Sequence, residues 1–176
     1  HLITMIYVGR LEPVQTPDLV IQAFKKVNDE APNTRLVIVG YGRMFEKLKL
    51  MLKELNLEDA VLLAGKQTDV RKYLWGSEVF IATNFGYIAT LEAWAAGLAV
   101  VAPKFGILKE TVSHGNNGLL FEPNNAEDLA ANLLIMVQDH DLRSKMALGG
   151  MQTVQRYDIR AVAPKMSQIY RSVTKQ

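Results

Sequence analysis

The chain has 176 residues, 49% of them apolar and 22% charged, with a formal net charge of +2; that length suits one well-buried domain, or one half of a two-domain enzyme. The charge is too small and too dispersed to call for nucleic acid, although the mild basic excess leaves room for attraction to phosphates or an anionic membrane surface. With no cysteine there is no disulfide framework, thiolate metal site or thiol nucleophile, which fits a cytoplasmic protein, and the sequence shows neither a run near the ~20 apolar residues of a membrane span nor a signal peptide.

Short apolar runs alternate with longer amphipathic ones along the chain. A strand at 4–8 leads to a helix at 17–28, where Pro17 suits the first helical position. A strand at 35–39, a helix at 44–55, a strand at 60–64 and a helix at 69–75 follow. Next come a strand at 79–82, a helix at 87–96 closed by Gly97, a strand at 99–102, a helix at 108–113 closed by Gly115, and a strand at 118–121. Helices at 126–138, capped by Asn125, at 141–156 and at 159–173 complete the chain. The pattern predicts an α/β class: a Rossmann-like open parallel six-stranded sheet with helices on both faces. No repeat, low-complexity tract or linker interrupts it.

In such sheets ligands settle at the carboxyl edge of the strands, so the post-strand loops are the places for chemistry. Gly9-Arg10-Leu11-Glu12-Pro13 puts Arg10 directly after the first strand, where its fork could clamp a diphosphate or simply pair with Glu12. Val39-Gly40-Tyr41-Gly42 lets backbone come close to a ligand, as any tight turn also would. Pro103-Lys104-Phe105-Gly106 reads as an ordinary loop with an exposed lysine. The helix after Asn84 carries one carboxylate, Glu92, in an otherwise apolar run, where burial without a partner would be costly and a sugar diol could supply two donors. Phe85, Gly86, Tyr87 and Ile88 are expected to form its first turn, whose free N–H groups and dipole suit a phosphate.

Other residues have plainer readings. His114 and His140 lack metal-ligand spacing and read as surface residues. Asp69 and Glu110 read as helix-start charges rather than acids or bases. Trp75, Trp94 and the methionines read as core, and Val162, Met166, Ile169 and Val173 give the last helix a face that should pack on the body or reach toward another domain.

Seven segments follow one another in order: Tyr7-Val8-Gly9-Arg10-Leu11, Leu36 to Gly42 with Gly40-x-Gly42, Val61-x-x-x-Gly65, Phe85-Gly86, Leu91-Glu92-Ala93-x-Ala95-x-Gly97, Val100-Val101-Ala102, and Gly115-x-x-Gly118-Leu119-Leu120-Phe121. Together they resemble the nucleotide-binding half of retaining family 4 glycosyltransferases, over about residues 4–170. The resemblance implies a GT-B arrangement of two facing Rossmann-type domains. Residues 1–176 would form the donor-binding second domain, and the N-terminal acceptor domain would lie outside this chain.

It further implies that Glu92 accepts the ribose hydroxyls, Arg10 beside Gly9 neutralises the donor diphosphate, and residues 85–88 cap a phosphate. Gly40 belongs to the glycine turn, and Gly65-Lys66-Gln67 passes the base. Two departures stand out. Asn84 occupies the place of the family's first glutamate, and Gln15 that of its phosphate-binding lysine, so Lys66 or Lys104 could substitute as the cation. The expected function is therefore transfer of a hexose from a UDP- or GDP-type sugar, with retention and without a metal or cofactor. The catalytic residues would be Arg10, Glu92 and Asn84.

The isolated domain is expected to be inactive alone, and the full-length protein is open to peripheral membrane association. The alternative is a nucleotide-binding regulatory module that kept the fold and lost turnover. An NAD-type site is disfavoured, because Gly9-Arg10-Leu11 lacks the G-x-G-x-x-G spacing.

Overall fold

The computed structural model describes residues 2–173. Six parallel strands, β1 (Ile3–Val8), β2 (Thr34–Val39), β3 (Val61–Gly65), β4 (Val79–Ile81), β5 (Ala99–Pro103) and β6 (Leu119–Phe121), form one sheet in the order β3-β2-β1-β4-β5-β6. Between them run α1 (Pro17–Glu30), α2 (Phe45–Glu54), α3 (Arg71–Trp75), α4 (Tyr87–Ala95) and α5 (Gly106–Thr111), followed by α6 (Ala126–Gln138), α7 (His140–Val154) and α8 (Ile159–Val173). This is the Rossmann-like α/β architecture that the alternating pattern predicts.

The strands are apolar at nearly every position because both faces of the sheet are covered. Alternate residues point to opposite sides. Met5, Tyr7, Leu36, Ile38, Val79 and Ile81 join one core with α1, α2 and α6. Ile6, Val39, Phe80, Ala82, Val100 and Ala102 join the other with α3, α4 and α5. Trp94 anchors the second core: it is fully buried, and its indole N–H donates to the Asn117 carbonyl at 2.9 Å.

Three expectations about packing are corrected. Trp75 is 70% exposed, because α3 has little more than one turn and buries only Leu74. Met5, Met44, Met136 and Met146 are core, but Met151 and Met166 are exposed. Of the two alternatives for α8, packing on the body is the one corrected: Ile159, Met166 and Ile169 are exposed, so its amphipathic face is left uncovered among the described residues. The side chain of Val173 lies outside the described residues.

Candidate functional site

The strand order reverses between β1 and β4, and in open sheets the crevice at that reversal is the ligand seat. On the β1 side, glycines close the loops backbone to backbone. The Gly9 N–H donates to the Val39 carbonyl at 3.0 Å and the Gly40 N–H to that of Gly65 at 2.9 Å. A Cβ on Gly40 would fall 1.8 Å from the Gly9 carbonyl oxygen, so nothing larger than glycine fits there.

Beneath this loop, the buried Tyr7 hydroxyl lies 3.0 Å from the Arg10 carbonyl and 3.2 Å from Gln15 Oε1. Burial pushes its pKa up to about 12, against the smaller opposing effects of the Thr83 side chain and the Arg10 charge.

Glu12 pairs with Arg43 at 2.7 Å rather than with Arg10, and that guanidinium holds its carboxyl below the usual range. Arg10 is exposed and makes no side-chain hydrogen bond or ion pair with a described residue. Its fork is available to an anion.

Gln15 and Lys104 depart from expectation. Gln15 is buried, with its amide oxygen engaged by Tyr7, so it braces the loop instead of lining the cleft. Lys104 is tied to Glu122, whose carboxylate raises its pKa. Lys66 is exposed beside Arg10 in the same cavity and has no ion pair among the described residues. Asn84 spans the crevice, its amide N–H donating to the Val14 carbonyl at 3.4 Å.

The turn expected to seat a phosphate also shifts along the chain. Helix α4 starts at Tyr87, and the Gly86 N–H is consumed by the Thr83 carbonyl at 2.8 Å. The free donors of the first turn are therefore those of Tyr87, Ile88 and Ala89. Phe85 is exposed and meets Phe105 edge-on at 6.4 Å between ring centroids.

Glu92 is exposed rather than buried. Thr90, Ala93 and Trp94 take the inward stripe of α4, which leaves Ile88, Glu92 and Ala95 on the outward one. Its carboxylate has no hydrogen bond or ion pair with any described residue. Nor does it face open solvent alone, because it lines a cavity of about 300 Å³ with Val70, Leu74 and Trp75. Val70 also lines the cavity of about 470 Å³ that holds Gly9, Arg10, Gly40, Tyr41, Lys66 and Gln67. The two cavities share Val70: one holds two cations and three post-strand loops, the other the free carboxylate.

The plainer readings divide. Asp69 accepts from the Arg71 backbone N–H and its guanidinium, which holds its pKa down to about 2, so its charge is tied to the start of α3. His114 accepts the Leu120 N–H through Nδ1, and both His114 and His140 are exposed. Glu110 lies late in α5 and is exposed. Among the described residues no cluster of three or more His, Asp or Glu is grouped to hold a metal. Sequence reasoning passed over Tyr41, Val70 and Trp75 as cavity residues. The flanking Gly40 and Gly42 were the one signal that could have singled out Tyr41.

Residues 2–152 match the family described as "Glycosyl transferases group 1". The chain belongs to that family. Among curated relatives of this group 1 domain, the N-acetyl-alpha-D-glucosaminyl L-malate synthase of Bacillus anthracis is 29% identical over 85% of the chain and 40% of its own length. The phosphatidyl-myo-inositol mannosyltransferase of Mycolicibacterium smegmatis is 26% identical over 97% of the chain and 45% of its own length. The chain thus spans less than half of either relative.

Its fold matches GT-B glycosyltransferase domains. The Anabaena HepE structure in complex with UDP and glucose superposes with a TM-score of 0.88 at 22% identity, covering 97% of this chain and 48% of HepE. The C-terminal domain of the group 1 protein LpcC from Francisella tularensis superposes at 0.79 and 24% identity, covering 87% of this chain and 84% of that domain. No helix among the described residues of this group 1 domain is long and apolar enough to cross a membrane.

Proposed function

We propose that this domain is the donor-binding half of a retaining, family 4 type glycosyltransferase. It would take a hexose from a uridine or guanosine diphosphate sugar, without a metal, and pass it to an acceptor bound on the other half of the enzyme. The observation that carries this is the free Glu92 carboxylate, whose cavity shares Val70 with the one holding the unpaired Arg10 and Lys66. A carboxylate accepts two ribose hydroxyls, and two cations beside it suit the attached diphosphate.

Negative charge grows on the leaving diphosphate as the sugar departs. Arg10, Lys66 and the α4 N–H groups of Tyr87 to Ala89 stabilise that charge, and do so more strongly once a facing wall excludes water. Asn84, three residues before α4 at the reversal of the sheet, offers its amide oxygen to a sugar hydroxyl. The UDP in the HepE complex and the hexose-transferring names of the curated relatives support the same donor class.

Isothermal titration of this chain with UDP and GDP tests the proposal. Micromolar to millimolar binding by the wild type that Glu92→Ala weakens is expected, and no heat with either nucleotide overturns it. A second reading, a nucleotide-binding module without turnover, is favoured by the neutral Asn84 and by the inward Gln15. Binding without transfer by the full-length protein would decide for it.

A further inference from the structure

We propose that Tyr41 is the platform on which the donor nucleobase stacks, a role that rests on the function proposed above. Tyr41 is 65% exposed at the rim of the cavity that also holds Arg10, Lys66 and Gln67. A large aromatic side chain left open beside two unpaired cations is a poor use of surface in a protein without a ligand there, and a natural one where a planar base lies next to phosphates.

The ring packs on one aromatic neighbour, and its backbone is pinned on both sides. Phe45, half-buried and packed against the core, lies under it with ring centroids 5.6 Å apart and an interplanar angle of 36°. The backbone of Tyr41 is fixed by its neighbours: Gly40 is pressed against the Gly9 carbonyl, and a Cβ on Gly42 would fall 2.4 Å from the Leu11 carbonyl oxygen. The Leu11 N–H donates to the Tyr41 carbonyl at 3.2 Å. The residue therefore loses little freedom when a ligand arrives, and the face not turned to Phe45 is free for stacking.

Gln67 lies in the same cavity with one amide N–H donated to the Ala64 carbonyl at 2.6 Å, which fixes the orientation of its amide. That leaves its carbonyl oxygen to accept an N–H from the edge of the stacked base. Stacking recognises that a base is present rather than which one, because every base offers a π-face.

The test is titration of the 176-residue chain and its Tyr41→Ala and Tyr41→Phe variants with UDP, GDP and inorganic pyrophosphate. Tyr41→Ala is expected to raise the Kd for both nucleotides by about tenfold or more, Tyr41→Phe to keep them near wild type, and neither to alter pyrophosphate binding. An unchanged nucleotide Kd in Tyr41→Ala overturns the inference, as does an equal loss for pyrophosphate. Wild-type binding of pyrophosphate as tight as that of UDP overturns it while leaving the phosphate site standing. A wild type that binds none of the three overturns the proposed function itself.

Discussion

The phenolic hydroxyl of Tyr7 lies 3.0 Å from the backbone carbonyl of Arg10, so a fully buried strand residue holds the turn from which the exposed guanidinium projects. The same hydroxyl meets Gln15 Oε1, and the two contacts brace both ends of the loop after β1. Tyr7→Phe removes the tie while keeping the ring in the core. Stability should fall by about 1–2 kcal/mol, the net worth of a buried hydrogen bond plus the acceptors left behind. Urea melts read that loss. Nucleotide affinity should fall with it, since Arg10 is then presented on a looser turn; an unchanged UDP affinity would show that the loop holds itself.

The same tyrosine gives the protein a weakness at high pH. Its folded pKa is raised to about 12, above the value near 10 of an exposed tyrosine, because burial disfavours the phenolate. A raised pKa means stabilisation that is fully present below pH ~10 and lost as pH rises through about 12. The two-unit difference corresponds to on the order of 3 kcal/mol. Burial and its contact with Tyr157 also raise Tyr87, so ultraviolet titration should show two delayed tyrosines, of which the Tyr7 step should be missing in Tyr7→Phe.

Glu92 has the opposite profile, being important to a ligand and dispensable to the fold. Its carboxylate has no partner among the described residues and lies on the outward stripe of α4, so Glu92→Gln should leave the unliganded melting temperature almost unchanged. UDP binding should weaken by about tenfold, as expected for losing one charge-assisted hydrogen bond. A variant that melts early without ligand, or binds UDP normally, would show that the carboxylate serves structure instead.

Acid acts on a different element. The Arg71 side chain and backbone N–H hold Asp69 down to about 2, below the ordinary value near 3.9. A depressed pKa gives stabilisation that is present above pH ~4 and lost as pH falls through about 2. The pair is fully exposed, so its effect is local, at the start of α3. Carboxyl-resolved NMR should show Asp69 titrating well below the other aspartates that carry no such partner, and Arg71→Ala should return it toward the ordinary range.

The strands were legible because a sheet covered on both faces demands continuous apolar runs, and each observed strand lies within a residue or so of its expected place. Glu92 was expected to be buried and is exposed: nine residues of almost uniformly apolar sequence hide which stripe faces inward. Trp75 misled for a related reason, since an apolar run predicts burial only if the helix is long enough to use more than one inward position. Gln15 is polar and buried because Tyr7, eight residues earlier, supplies its donor. The glycine pair Gly149-Gly150 drew no attention, because mid-helix glycines leave no trace in hydrophobic periodicity.

That pair sets how closely α7 approaches its neighbours, Gly150 against α4 and Gly149 against the turn at Asn116. A Cβ on Gly150 would fall 2.0 Å from Trp94 Cδ1 and 2.5 Å from its Nε1, and one on Gly149 would fall 2.3 Å from the Asn116 carbonyl oxygen. Trp94 cannot step aside freely, because its ring is fully buried and its N–H is donated to Asn117. Gly150→Ala should therefore destabilise by about 1–3 kcal/mol from overpacking, although alanine is the better helix former. A denaturant melt gives the size of the loss. Fluorescence assigns it, since Trp94 should shift toward a wetter spectrum while the already exposed Trp75 should not. Pairing Gly150→Ala with Trp94→Phe should cost less than the sum of the two single changes, because the smaller ring makes room for the added methyl. Strict additivity would mean that α7 does not press on the indole.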